Sequence, residues 1–239
     1  MNAFDWTILT FLNRFARRSW FLDQVIGSWV GNNLFKGGLI IAILWGLWFT
    51  RSDREQEQIR KSILLTFIGT VAGLFFTRVL VNILPFRPRP IHKMAFPFVF
   101  PYGISEKSLL DHAMSFPSDH ATLFFGLATG IFLISRRLGL LVFAYVFFNT
   151  LLRVYQGLHY PTDVIAGALI GVVSVMLVNT PFVRRHVTDK IFDVSLEYPR
   201  IFYGMFFIVS YQSATLFDDS RNLAAQVLKF LKMISGRLG

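Results

Sequence analysis

Six apolar runs govern what this chain can fold into, extending over about Leu34 to Thr50, Ser62 to Pro85, Ala121 to Ser135, Leu138 to Gly157, Pro161 to Val178 and Ile201 to Phe217. A helix needs roughly 20 residues to cross the hydrocarbon of a bilayer. The third and sixth runs are short of that, and the third borrows length from Ser118 to Thr122 at its start. Inside lipid every backbone N–H and C=O must find a partner within the chain, so runs of this kind fold as helices. The pattern predicts an all-α, polytopic membrane helix bundle of about six transmembrane helices, forming one domain over residues 1–239.

Composition narrows the partners. With 54% hydrophobic residues and 27 Phe, the chain carries more apolar surface than a soluble domain of this length buries. The net charge of +10 in another setting points to nucleic acid. Here the basic residues sit at the ends of apolar runs and not on one polar face, so no nucleic acid is expected; anionic membrane lipids and phosphate-bearing substrates fit better. The absence of cysteine excludes disulfides and thiolate metal sites. No cleavable signal peptide is expected, because Arg14, Arg17 and Arg18 interrupt the first apolar stretch.

Both ends have amphipathic character. In the segment 1–33, Phe4, Ile8, Phe11, Leu12 and Phe15 share one helical face, opposite Thr10, Arg14, Arg17 and Arg18. In the segment 218–239, Leu223, Val227, Phe230, Leu231 and Ile234 oppose Asn222, Gln226 and Lys229. Each predicts an interfacial helix packed along the bundle rim. Trp45 and Trp48 are expected to anchor the bundle at the interface. Short loops carrying Arg51, Arg54, Arg60 and Lys61, then Arg136 and Arg137, then Arg184, Arg185, Lys190 and Arg200 predict the cytoplasmic side by the positive-inside rule. A multi-pass protein of the plasma (inner) membrane follows, with the remaining loops on its outer face.

Those outer loops hold the chemistry. Phe86-Arg87-Pro88-Arg89-Pro90 ends one apolar run, Phe116-Pro117-Ser118-Asp119-His120 begins the next, and Arg153-Val-Tyr-Gln-Gly-Leu-His159-Tyr-Pro-Thr-Asp163 joins two more. Helix counting brings Arg89, His120 and His159 to the same side. Ser118, after Pro117, is placed to cap the apolar helix that runs from Ala121 onward, and a helix N-terminus favours an anion. Asp119 beside a bound anion is expected either to turn toward an arginine or to share a proton with His120. Arg78 is expected to be a structural ion-pair or snorkelling residue. His92, His112 and His186 belong to loops, and no metal-ligand spacing occurs, so neither a metal nor another cofactor is expected. The residues alone point to a membrane-embedded anion site with two histidines.

The three stretches together resemble the signatures of the type 2 phosphatidic acid phosphatase superfamily, which read Lys-x6-Arg-Pro, Pro-Ser-Gly-His and Ser-Arg-x5-His-x3-Asp. The spacing from Arg153 to His159 and Asp163 is that of the third signature, and the resemblance extends from Asn82 to Asp163. Asn82 stands where the family has lysine, Asp119 where it has glycine and Leu152 where it has serine. One cationic phosphate contact is then either missing or supplied by Arg87 or Lys93. The resemblance implies a metal-independent lipid phosphatase with His159 as nucleophile, Asp163 bonding its other ring nitrogen, and His120 as general acid and base. Arg89, Arg153, Ser118, Asp119, Asn82 and Arg87 are then the phosphate-binding set. The Ser-Asp-His and Tyr160-Pro161-x-Asp163 wording is most similar to the branch acting on undecaprenyl diphosphate. Phosphatidylglycerophosphate, phosphatidic acid or lipid A phosphatases are alternatives, as is a lipid or anion transporter without catalysis.

Overall fold

The computed structural model of the chain describes residues 2–49, 53–92, 97–104 and 114–218, together with 220, 223, 226 and 227. All its regular structure is helical. Helices α1 (Ala3–Asn13) and α2 (Trp20–Gly31) begin at Asn2 and Ser19, whose side chains accept the backbone N–H groups of Asp5 and Leu22. Asn32 ends α2 in extended conformation and turns its side-chain oxygen to the Leu34 N–H at 2.8 Å, a local bond that competes with the helical ladder. A π-helical turn, Leu34–Gly38, then leads into α3 (Leu39–Trp48), bent by 64° from α2.

Helix α4 (Asp53–Ile83) stops just before Pro85, as expected of a residue whose successor disfavours the helical region. Helices α5 (Asp119–Ile134), α6 (Arg136–Tyr155) and α7 (Pro161–Val178) follow, α7 opening on a proline at its first position. The chain closes through α8 (Pro181–Val183), a second π-helical turn (Arg184–Thr188), α9 (Asp189–Glu197) and α10 (Pro199–Ala214).

The centre of the bundle is α5, packed against α4, α6 and α7. Helices in lipid associate by close van der Waals fit, which small residues permit. A Cβ on Gly171 of α7 would lie 2.2 Å from the Thr122 carbonyl oxygen of α5, and one on Gly130 of α5 would meet the Thr66 side chain of α4 at 2.0 Å. Thr77 and Thr122 bond hydroxyl to hydroxyl at 2.9 Å across the α4–α5 seam. Below this polar seam, Ile63, Leu123, Leu127 and Ile131 join Ile40, Leu44 and Trp48 in one buried cluster.

The expectation of six spans meets a shorter inventory. Among the described residues, α4, α6 and α7 are long and apolar enough to cross a membrane, and the bent pair α2 and Leu34–Trp48 makes a fourth if counted as one span. Helices α5 and α10 have 16 residues each, roughly 24 Å, less than the hydrocarbon thickness. Trp48 is not an interfacial anchor: it is fully buried, and its ring N–H donates to the Tyr203 hydroxyl at 3.1 Å.

The N-terminal segment is two helices rather than one, turned at Arg17, which has φ +60°. Phe4, Phe11 and Phe15 are exposed as the amphipathic pattern predicts, but Asp5 and Leu9 are fully buried, so α1 is docked onto the α6–α7 end of the bundle. In the C-terminal segment Leu223 and Val227 are exposed, while Phe230, Leu231 and Ile234 lie outside the described residues.

Candidate active site

Three backbone hydrogen bonds stitch the charged loops together. The Ile91 N–H donates to the Gly157 carbonyl at 3.2 Å, the Ser115 N–H to Arg87 at 2.9 Å and the Ser118 N–H to Asp163 at 3.1 Å. Each joins segments far apart in sequence, so the three motifs form one rigid rim. Gly157 makes the tightest corner: its φ is +70°, and a Cβ there would stand 2.6 Å from the Phe98 ring.

The rim borders a cavity of about 950 Å³ whose walls include Arg78, Arg89, Asp119, His120, Arg153 and His159. His159 lies in the loop between α6 and α7 and is 4% exposed. Its Nδ1 is 2.9 Å from the Ser115 carbonyl oxygen. A carbonyl only accepts, so Nδ1 carries the proton and Nε2 the lone pair. Burial pushes the His159 pKa well below its ordinary value, and the positive fields of Arg153 and Arg89 add to this against the opposing Ser115 carbonyl. The ring is therefore neutral and nucleophilic at physiological pH.

Arg89 and Arg153 both line this cavity, and the Nε of each is buried with no hydrogen-bond partner among the described residues. Buried donors of this kind are costly unless a ligand meets them, and a guanidinium matches phosphate oxygens. Burial lowers the Arg89 pKa, while Asp119 and Asp163 hold it up. His120 sits in the first turn of α5, its ring 6.0 Å from that of Phe124. Ser118 caps this helix from beneath: it is fully buried, and its hydroxyl accepts from the Ala121 N–H at 3.4 Å.

Four expectations change. Asp163 does not hold His159 by its ring nitrogen, from which its carboxylate stands 3.9 Å away. Instead the fully buried carboxylate accepts from the Ser115 hydroxyl, from the Tyr160 N–H at 2.7 Å and from Arg87 at 2.5 Å. Asp163 thus places His159 through Ser115, one step removed. Arg87 is not among the cavity walls: it pairs with Asp163 and Asp5, bonds the Thr162 hydroxyl at 3.0 Å and lies 4.2 Å over the Tyr160 ring. Asn82 is exposed on α4, is not among the cavity walls either, and donates back to the Arg78 carbonyl at 3.0 Å. Ser118 is a cap and backbone anchor, not a wall of the cavity. Lys93, Asp111 and His112 lie outside the described residues.

Sequence reasoning undervalued Arg78. It lines the cavity from α4 and is ion-paired with Asp119, so Asp119 turns toward an arginine. The available signal was its position one helical turn before Asn82, together with an acid at Asp119 in need of a cation. Lys36 also reaches this cavity, from the π-helical turn. No local pattern marks it. Among the described residues no group of three or more His, Asp or Glu stands as a metal-ligand set.

The fold and cavity define a membrane-embedded helix bundle built around a cationic, two-histidine pocket. The sequence matches the PAP2 superfamily over residues 62–186, more than half of its length, and the chain belongs to that family. It is 30% identical over 133 residues to the bacitracin transport permease protein BcrC of Bacillus licheniformis, covering 55% of this chain and 59% of that one. It is 28% identical over 137 residues to the undecaprenyl-diphosphatase BcrC of Bacillus subtilis strain 168, covering 56% and 62%. A 60-residue stretch is 50% identical to the lipid A 4'-phosphatase of Bacteroides thetaiotaomicron, covering 23% and 26%. The chain thus spans less than two thirds of the length of each of these curated relatives. The crystal structure of Aquifex aeolicus LpxE shares the fold, with a TM-score of 0.50 at 23% identity over 74% of this chain and 95% of that one.

Proposed function

We propose that this protein is a metal-independent phosphatase that hydrolyses an isoprenoid lipid diphosphate, undecaprenyl diphosphate, to the lipid monophosphate and inorganic phosphate. The carrying observation is the bond from His159 to the Ser115 carbonyl, which leaves the lone pair on Nε2 of a ring that lines one cavity with His120, Arg89 and Arg153. His159 Nε2 attacks the terminal phosphorus as the bridging P–O bond breaks, giving a phosphohistidine. His120 protonates the leaving oxygen and then takes a proton from the water that cleaves the N–P bond. Arg78, Arg89 and Arg153 hold the phosphoryl oxygens in place and stabilise the charge that develops on them.

Phe86, 61% exposed, and Leu84 line the same cavity, an apolar entrance suited to a lipid arriving sideways. By the positive-inside rule, the basic loops support a cavity that opens on the outer face of the plasma membrane. The names of two relatives, an undecaprenyl-diphosphatase and a lipid A 4'-phosphatase, support a lipid phosphate in either case. Another relative is named a transport permease, but transport needs no paired histidines.

The test is phosphate release by purified protein in detergent from undecaprenyl diphosphate, phosphatidylglycerophosphate, phosphatidic acid and lipid A, with and without EDTA. Undecaprenyl diphosphate is expected to be the best substrate and EDTA to leave the rate unchanged, since side chains fill each role. His159→Ala is expected to abolish turnover and retain phosphate binding. Near-normal turnover by that variant would overturn the mechanism.

A further inference from the structure

Lys36 lies outside the stretch matched to the family, yet it lines the same cavity as both histidines. It also borders a small recess of about 10 Å³ shared with His120 and Arg153, so it stands on the His120 side of the site. Its position is built. Gly37 is packed so tightly that a Cβ would lie 2.6 Å from the Ala214 carbonyl oxygen; the Phe35 carbonyl accepts from the Tyr145 hydroxyl, and the Phe35 ring stacks on Trp29 at 4.3 Å. The π-helical turn is therefore clamped between α2, α6 and the end of α10.

The ammonium group pairs with Asp218 at 3.3 Å. Asp218 is delivered there by Leu216 and Phe217, two successive non-glycine residues with φ +57°. Strained backbone of this kind persists where the surroundings enforce it, and it gathers at functional sites. An ammonium has three donors, of which Asp218 engages one among the described residues, so an arriving anion can be met from the same position.

We infer that Lys36 binds the phosphate of the leaving group and so favours lipid diphosphates over lipid monophosphates. This rests on the proposed role of His120 as the acid that protonates the leaving oxygen. When a lipid monophosphate is cleaved, the leaving group is an uncharged alcohol and a cation beside His120 has nothing to neutralise. When a diphosphate is cleaved, the leaving group is itself a phosphate anion, and a cation at that point stabilises it as the P–O bond breaks.

The test is calorimetric titration of the detergent-solubilised full chain with methylenediphosphonate, a diphosphate that cannot be hydrolysed, and with inorganic phosphate. Lys36→Met is expected to weaken diphosphonate binding at least about tenfold and phosphate binding by less than about twofold, and Lys36→Arg to restore the preference. Equal weakening for both ligands, as a merely structural lysine would give, or no weakening, overturns the subsite. Undecaprenyl diphosphate hydrolysis is scored separately. A Lys36-dependent diphosphonate preference in a protein that does not cleave that lipid leaves the subsite standing and removes the proposed substrate.

Discussion

Asp5, in the first turn of the N-terminal helix, accepts a hydrogen bond from Arg87 at 2.7 Å, and its two oxygens also take the backbone N–H and the hydroxyl of Thr162 at 2.9 and 2.8 Å. The carboxylate is fully buried, and Arg87 bridges it to Asp163. A helix with an amphipathic, lipid-facing pattern is thereby fastened to the first turn of α7, directly after the loop that carries the candidate nucleophile.

Removing one partner of a buried charge pair leaves the other without compensation. Asp5→Ala is therefore expected to destabilise the protein by about 3 kcal/mol and to reduce turnover with little change in KM. Thermal unfolding in detergent alongside steady-state kinetics checks this. A fully active, fully stable Asp5→Ala protein would reduce α1 to a passive rim helix.

Asp163 and Ser115 act on His159 in series, so their substitutions should not add. Ser115→Ala removes a bond to Asp163 but keeps the carbonyl that orients the imidazole, and a loss in kcat of about tenfold is expected. Asp163→Asn also disturbs the Arg87 pairing and should cost more. The double variant should be no worse than Asp163→Asn alone, and additive losses in kcat would mean that the two residues act independently.

The pH dependence follows from the buried imidazole. The folded protein holds His159 neutral below its ordinary pKa of 6.5, whereas an unfolded histidine takes up a proton there. Unfolding then binds a proton, so stability falls as pH drops below about 6.5 and is unaffected by this group above it. His159→Gln is expected to flatten the stability profile between about pH 5 and 6.5. Unfolding midpoints of the two proteins, compared across that range, test the expectation.

Arg78, not Asn82, supplies cation density from α4. Arg78→Ala should raise the KM for a phosphate substrate about tenfold, while Asn82→Lys should change it by less than about twofold. The Arg78–Asp119 pair has side-chain exposures of 42% and 16%, so its coupling in a double-mutant cycle should be no more than about 1 kcal/mol. An Asn82→Lys protein that binds much more tightly would show that α4 presents this position to the substrate after all.

Orientation can be read directly, because the chain has no cysteine of its own. A single cysteine replacing exposed Tyr102, at the cavity wall, should react with an impermeant maleimide added to intact cells; one replacing Arg137, exposed in the first turn of α6, should react only after lysis. The reverse pattern would place the cavity on the cytoplasmic face.

Bilayer-length apolar runs and motif spacing depend on residues near one another in sequence, so the sequence by itself determined the helical class and the membrane setting, and it marked the two histidines, Arg89 and Arg153, which the fold brings to one cavity. Hydrophobic periodicity and helix capping are local properties, and they placed α5 and α7 almost to the residue. What only the tertiary structure decided are relationships between elements. Whether Asp163 or the Ser115 carbonyl meets the imidazole depends on how the loop before α5 folds over α7. That Arg87 turns outward to Asp5 depends on the docking of α1. Lys36 enters the cavity because the helix breaks at Asn32 and Gly37 allows the next turn to settle against α10. Charge in a buried, low-dielectric interior goes to the nearest available partner, and which partner is nearest is a property of the packed chain.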